Sequence, residues 1–321
     1  MARIALYVLV CAALFAVGSS ARAGDAPIVT LTVEDEAGLG AENHPVTMGV
    51  PLPDGKVESA KQLVLLDAAG KRLPCQVKEV SRWMDGKSVK WVHFTWLQSV
   101  APKGKVQVTV ADAGGAVPPA TTPLKASVQG NRATVETGFV KFVVSGAKFS
   151  GFESAWFDPN GKGNFTDANQ IVGGAGGGSH LRIAPKDAVV LENEHPKIKG
   201  DTKPFSSTAD AEGNVVIEEQ GPFRVVVKAT GRHLAGGERA LDYTVRFYAY
   251  AGSPVVRVQH TFVSRQGEKP ADFHWMAALN LDVPTKLEGG KLTLGTEAAP
   301  ASVEPPAEIF QDSSDHYAIK S

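Results

Sequence analysis

Cysteine is nearly missing from these 321 residues, with Cys11 and Cys75 the two present. Cys11 lies in the apolar start of the chain, and once that start is removed a single thiol remains. That excludes an intramolecular disulfide and a cysteine-based metal site. Charge of one sign is missing as well: 33 Lys and Arg meet 34 Asp and Glu for a formal net charge of −1. No basic field is offered to nucleic acid or anionic lipid, and there is no acidic tail. Aromatic side chains make up only 7%, and no 3.6-residue apolar period is sustained anywhere, so long amphipathic helices are not expected. What is present is punctuation, 33 Gly and 20 Pro spread between short apolar runs. The length exceeds the usual single domain, and two β-rich domains are the first expectation.

The opening residues, MARIALYVLVCAALFAVGSSARAGD, combine Arg3, an apolar run from Ile4 to Val17 and a small-residue string ending at Ala23. That is the order of a secretory signal peptide, and the run is too short for a membrane span. Val10 stands before Cys11, where a lipoprotein signal would want a small residue. Residues 1–23 are therefore expected to be cleaved, leaving a periplasmic or secreted chain from near Gly24 with no membrane attachment. Cys75 sits in RLPCQVKEV, which alternates like a strand, and reads as a buried structural thiol.

The segment AGGAVPPATTP, residues 113–123, has no apolar period and reads as an interdomain linker centred on 118–123. Before it, in residues 24–117, come IVTLTV, VTMGVPL, QLVLLD, LPCQVKEV, SVKWVHFTWL and KVQVTV, six strands that suggest a small barrel. Asp85-Gly86 is the dipeptide of a two-residue type I′ hairpin turn. The strand after it puts Val89, Trp91, His93 and Thr95 on one face and Lys90, Val92, Phe94 and Trp96 on the other. Its tryptophans are expected mostly to pack the barrel, not to form one flat sugar platform, because Trp91 and Trp96 face opposite ways. After the linker, in residues 124–321, the strands lengthen and hairpin signals recur near Gly130, Gly221 and Gly252. The fold class is all-β, a six-stranded barrel followed by an antiparallel β-sandwich. The final EIFQDSSDHYAIKS shows neither cap nor closing strand, and the sandwich is expected to be incomplete there.

Within the barrel segment, Gly49, Pro51, Pro53 and Gly55 form a G-x-P-x-P-x-G string, and Leu73, Pro74 and Gln76 form L-P-x-Q. Trp83, Asp85, Gly86, Ser88, Val89, Lys90 and Trp91 come close to W-x-D-G-S-V-K-W. In these motifs the chain resembles the amino-terminal barrel of the exo-rhamnogalacturonan lyase-like family. The departure is Lys87, inserted between glycine and serine, which would make the two-residue hairpin a bulged one. EEQGPFRVVVKATGRH and the later YTVRFYAYAGSPVVRVQHTF are similar to that family's central β-sandwich, with Gly221, Arg224, Arg246, Gly252, Pro254 and Thr261 in place. The resemblance covers most of the chain after the leader. It implies a secreted polysaccharide lyase made of a RIFT-type barrel, a central sandwich and an α/α toroid that forms much of the catalytic cleft. These residues hold no helical-repeat sequence to supply a toroid, so lysis by this chain alone is not expected.

Cleavage of a uronide by β-elimination needs a neutralised carboxylate and a base for the adjacent ring proton. On YTVRFYAYAGS, Arg246 and Tyr248 share one face. A turn at Gly252 and Ser253 would set Tyr248 opposite Arg257, and Arg246 opposite Gln259. Arg246, Tyr248 and Arg257 are thus candidate substrate-binding residues for an acidic sugar, although such ladders also occur on ordinary solvated sheets. DPNGKGNFTDAN, residues 158–169, follows the spacing of a calcium loop at Asp158, Asn160 and Asn164, with Asp167 able to supply a ligand in another geometry. Lys162 and Asn169 stand where oxygen ligands are wanted, and Asp-Pro-Asn-Gly is equally a plain turn. Calcium is the one cofactor this suggests. GGAGGG, residues 173–178, lacks the Lys-Ser/Thr of a phosphate loop and reads as a flexible connection. The histidines are scattered without zinc-site spacing, and His260 reads as a satisfied core or edge residue. Glu34 to Glu36 and Glu218-Glu219 read as solvated turns and faces.

The expected function is therefore the exported, non-catalytic barrel-plus-sandwich portion of a polysaccharide lyase-like protein, binding or scaffolding acidic polysaccharide or oligosaccharide. The alternative is an envelope adhesion or scaffold module that binds another protein and no sugar.

Overall fold

The computed structural model describes residues 26–113, 118, 120–192, 195–264, 274–286, 292–294, 301–304, 308–311 and 317–320. The expected leader at 1–23, with Cys11, lies outside these, as does Pro119 of the expected linker. The described residues contain strands and short 3₁₀ turns but no α-helix. Alternating apolar segments broken by glycine and proline lead to this outcome.

The first half holds β1 (Ala26–Glu34), β2 (Ala41–Pro51), β3 (Leu63–Leu66), β4 (Arg72–Leu73), β5 (Gln76–Arg82), β6 (Val89–Val100) and β7 (Lys105–Asp112). They form a four-stranded sheet in the order β1-β7-β3-β4 and a three-stranded sheet in the order β2-β6-β5. Leu31, Leu65 and Val110 from the first sheet meet Met48, Phe94 and Trp96 from the second in one core. Seven strands stand where six are expected, because LPCQVKEV does not run through. Pro74 has no N–H for a ladder, so β4 ends at Leu73 in one sheet and β5 begins at Gln76 in the other. Cys75 is the corner between them. Burial in the barrel core pushes its thiol up to about 12.

The hairpin after β5 also departs from expectation. Trp83 N–H donates to Ser88 O (3.0 Å), Gly86 N–H donates to Trp83 O (2.8 Å), and Gly86 has φ +70°. Asp85 has no positive φ. A four-residue loop, Met84–Lys87, built on a type I turn with a left-handed glycine replaces the two-residue I′ turn, and Lys87 is the residue that forces the change. On β6 the predicted alternation holds from Trp91 to Trp96, but at the start of the strand it is reversed, with Val89 in the core and Lys90 exposed beside a register shift between Ser81 and Arg82. Trp96 is fully buried, while Trp91 lies outside at 38% exposure with its indole over Gly49. A Cβ on Gly49 would come within 2.8 Å of Trp91 Nε1. Trp91 therefore covers the outer face of the barrel and does not fill it.

The second half begins with β8 (Lys125–Gln129), β9 (Arg132–Glu136), β10 (Val140–Ser145), β11 (Ser154–Phe157) and β12 (Gln170–Gly173), a sheet in the order β12-β11-β10-β9-β8. There follow β13 (Gly178–Ala184), a β14 (Val189–Glu192) and β15 (His195–Ile198) hairpin, and β16 (Lys203–Ser206). β17 (Asn214–Gln220), β18 (Arg224–Ala235), β19 (Glu238–Tyr250), β20 (Val256–Ser264) and β21 (Trp275–Asp282) come next. The larger sheet runs β20-β19-β18-β16-β13-β21, with β17 paired to β18. Phe142 and Phe149 from the β10 region pack on Tyr243 and Phe247 of β19, with Phe142 and Phe247 ring centroids 6.1 Å apart. Each such fully buried ring contributes about 2–3 kcal/mol by area removed from water. Beyond this sandwich, β22 (Leu292–Leu294) pairs with β23 (Ala301–Val303) and β24 (Glu308–Gln311) with β25 (Tyr317–Lys320). The last stretch, expected to lack a cap and a closing strand, thus contains a pair of antiparallel strands.

Two family-like motifs meet where barrel and sandwich touch. Gln76 Nε2 donates to Glu219 Oε1 (2.7 Å) and to Arg224 O (3.2 Å), while its Oε1 accepts from Phe223 N (3.1 Å) and Arg224 N (2.9 Å). Arg224 grips Glu219 through Nε and Nη2, both at 2.8 Å, and Lys78 Nζ adds a 3.0 Å bond from the barrel side. Gly221 lies against the amide, since a Cβ there would stand 2.2 Å from Gln76 Cδ. Burial works against ionisation of Glu219, but the bonds from Arg224 and Lys78 outweigh it and hold the carboxyl below its ordinary value. Glu219 is therefore a buried joint residue and not a solvated face. Asp35, also expected at a solvated turn, is buried and accepts from Gly38, Gly40 and Lys103 backbone N–H groups.

Candidate functional site

The register of β19 and β20 sets Tyr248 opposite Arg257 and Arg246 opposite Gln259, as the Gly252-Ser253 turn predicts. Arg257 Cζ lies 5.6 Å from the Tyr248 ring centroid, a cation–π distance. The Tyr248 hydroxyl donates to Gln259 Oε1 at 3.0 Å. Arg246 is not free on this face. Its Nε and Nη2 clamp Glu218 at 2.6 and 2.9 Å, and Lys228 Nζ joins from the neighbouring strand at 3.1 Å. The bond from Arg246 is the main cause that holds the Glu218 carboxyl down at about 2, against partial burial. The result is a half-exposed face on which two cations share one carboxylate and Arg257 stands on tyrosine with no carboxylate among the described residues. Such a face can stack a sugar ring and meet an anionic substituent.

The loop at Asp158 is tied by its own first residue. Asp158 is 2% exposed, and its carboxylate accepts from Asn160 N, Lys162 N and Asn164 N, each at 3.0 Å. The N–H of Asn164 leads the causes that lower its pKa. Asp167 opens the 3₁₀ turn Asp167–Asn169, in which Asn169 Oδ1 accepts from Thr166 N (2.9 Å) and its Nδ2 donates to Asn164 O (2.6 Å). Among the described residues, no group of three or more His, Cys, Asp or Glu is arranged to hold an ion.

Sequence spacing gives no sign that Ser179, His233 and His260 meet. Leu241 O accepts from His233 Nδ1–H (3.1 Å), which leaves His233 Nε2 to accept from the Ser179 hydroxyl (2.7 Å). Ser179 Oγ then accepts from His260 Nε2–H (3.1 Å). Burial lowers the pKa of both imidazoles, that of His260 to about 4. β13 and β20 are four strands apart in the sheet, roughly 19 Å if it were flat. The contact therefore requires the sheet to curl, and Leu181, Phe205 and Leu241 fill the curl as a second core. Ser179 and His233 are fully buried and His260 is partly exposed, so this string of bonds closes the curl from the inside and reaches solvent at its His260 end.

Comparison with known proteins agrees with this architecture. Residues 34–111 match the PcRGLX-like N-terminal RIFT barrel domain, and residues 167–290 match the PcRGLX-like protein central beta sandwich domain. No curated protein matches the chain. One similar solved structure is a protein in the glycosyl hydrolase family 38 from Enterococcus faecalis, 10% identical with a TM-score of 0.43. The alignment covers 76% of this chain but 30% of that one, so the chain spans under a third of that protein's length. The two domain matches, taken in order and together over more than half of the residues, establish that the chain belongs to the PcRGLX-like, rhamnogalacturonan lyase-like family, of which it carries the amino-terminal RIFT barrel and the central β-sandwich.

Proposed function

We propose that this chain is exported and serves as a non-catalytic, saccharide-binding portion of a rhamnogalacturonan lyase-like protein. Its ligand is an acidic oligosaccharide laid across the Arg246, Tyr248 and Arg257 face. The observation that carries the reading is Arg257 held over the Tyr248 ring beside the Lys228–Glu218–Arg246 cluster. Glu218 neutralises one of the two cations it binds, and Arg257 remains to meet a uronate carboxylate while the tyrosine offers a stacking surface. Calorimetry with rhamnogalacturonan oligosaccharides tests it. Binding by the wild type and a tenfold or greater loss in Arg257→Gln are expected, with no rise of unsaturated-uronide absorbance. Equal binding by both proteins would sink the assignment of the face, and a rising absorbance would overturn the non-catalytic part.

A second reading, docking of another protein without any sugar, is favoured by exposed apolar side chains at Phe262, Trp275 and Met276. It predicts that no oligosaccharide binds and that Phe262→Ser abolishes partner capture.

A further inference from the structure

We propose that the cleft over β13, β16 and β21 is a second binding site, which takes a single sugar acid, a hexuronate. It has a volume of about 580 Å³ and is lined by His180, Arg182, Asn280 and Asp282, with Leu234 and Phe205 among its apolar walls. That volume lies within the ordinary range for small-ligand pockets, about 300–1,000 Å³.

The strand pattern places these groups together. On β13, Ser179 and Leu181 turn inward and are fully buried, so His180 and Arg182 must face out. Across the ladder to β21, His180 pairs with Asn280 and Gly178 with Asp282. Arg182 pairs with Ala278, whose small side chain leaves the guanidinium room. His180 Nε2 stands 3.6 Å from Asp282 Oδ2. Gly176 forms part of the rim, with φ +96° and nothing within 4 Å of where a Cβ would be, so the entrance carries no side chain there.

Arg182, like Arg257, meets no carboxylate among the described residues, unlike three other arginines of the sandwich. Arg224, Arg232 and Arg246 each grip a carboxylate. Arg182 donates its Nε to Thr202 Oγ1 at 2.8 Å, and among the described residues no carboxylate meets its Nη groups. The Nε bond fixes the fork while its two-nitrogen edge stays open, the geometry that binds a carboxylate bidentately. Asn280 supplies both a donor and an acceptor, and Asp282 accepts from vicinal hydroxyls, so a polyol bearing one carboxylate matches the set better than either a neutral sugar or a plain anion. The inference shares with the proposed function only the premise that the ligand is a sugar acid, and it concerns a different part of the sheet.

Titration of the full chain with sodium galacturonate, galactose and sodium acetate, followed by calorimetry, tests it. Galacturonate should bind at least tenfold more tightly than either control. Arg182→Gln should lose tenfold or more, and Ala278→Phe should block binding by filling the cleft without removing a charge. Equal affinity for galacturonate and acetate, retention of binding in both cleft variants, or absence of galacturonate binding would overturn the cleft. If Arg257→Gln loses the oligosaccharide while the cleft variants keep galacturonate, the outer face stands and the cleft falls. The opposite pattern leaves the cleft and removes the face. Thermal melting of each variant separates loss of binding from loss of fold.

Discussion

An amide side chain offers two donors and a carbonyl with two lone pairs, and Gln76 uses both ends inside the joint. Removing it would strand two backbone N–H groups of the sandwich and weaken the hold on a buried carboxylate, while leaving most of the packing in place. Gln76→Leu is expected to cost about 3 kcal/mol, measured by urea denaturation. A loss below about 1 kcal/mol would mean that water replaces the amide. At this scale the sequence was only partly legible. Gln76, Gly221 and Arg224 could be read as members of motifs, but their reason is mutual and Gln76 is more than 140 positions from the other two. Asp35 and Glu219 were misread for the same cause. An acidic residue in a polar string signals solvent unless the donors that bury it can be seen.

Among the elements, hairpin register was the most legible feature, because the centre of a hairpin fixes every pair that follows even where, as at Ala251–Val255, the connection is longer than two residues. Gly252-Ser253 gave Tyr248 opposite Arg257 correctly. The split at Pro74 was missed since apolar alternation continues across it, although proline's missing N–H is a sheet-breaking signal in its own right. The curl that brings β13 to β20 leaves no local trace, and so neither the Ser179–His233–His260 string nor the cleft behind His180 could be read from spacing. A glycine marks another place where elements meet. Gly146 faces Asn131, whose Oδ1 accepts from Val215 N at 2.9 Å and whose Nδ2 donates to Gly213 O at 2.7 Å, stitching the two sheets. A Cβ at Gly146 would stand 2.5 Å from Asn214 C and 2.6 Å from Val215 N, both backbone. Gly146→Ala is therefore expected to destabilise by about 3 kcal/mol or more, with Gly70→Ala, which has open space and only its φ of +76° to strain, costing about 1 kcal/mol. Comparable thermal shifts in the two variants would contradict the stitch.

For the molecule as a whole, the carboxylates and histidines whose titration is displaced all act in one direction. His260 has its folded pKa lowered from 6.5 to about 4, so its contribution is fully present above pH 6.5 and is lost as the pH falls toward 4. Glu218, lowered from 4.5 to about 2, contributes above pH 4.5 and fails as the pH falls toward 2. Stability should decline in two successive acid limbs. His260→Gln, which can still donate to Ser179, should flatten the first by about 1–2 kcal/mol once solvent screening is allowed for, read from denaturation midpoints at pH 7, 5.5 and 4. An unchanged first limb would assign it elsewhere.

The corner at Cys75 gives the molecule an internal clock. Its thiol is buried at the point where the barrel changes sheets and adjoins the amide that locks barrel to sandwich. Thiolate is scarce there, so a cysteine reagent reacts only in the moments when this corner opens to water. The rate of alkylation thus counts openings of the joint itself, in a molecule whose remaining described residues contain no competing sulfhydryl.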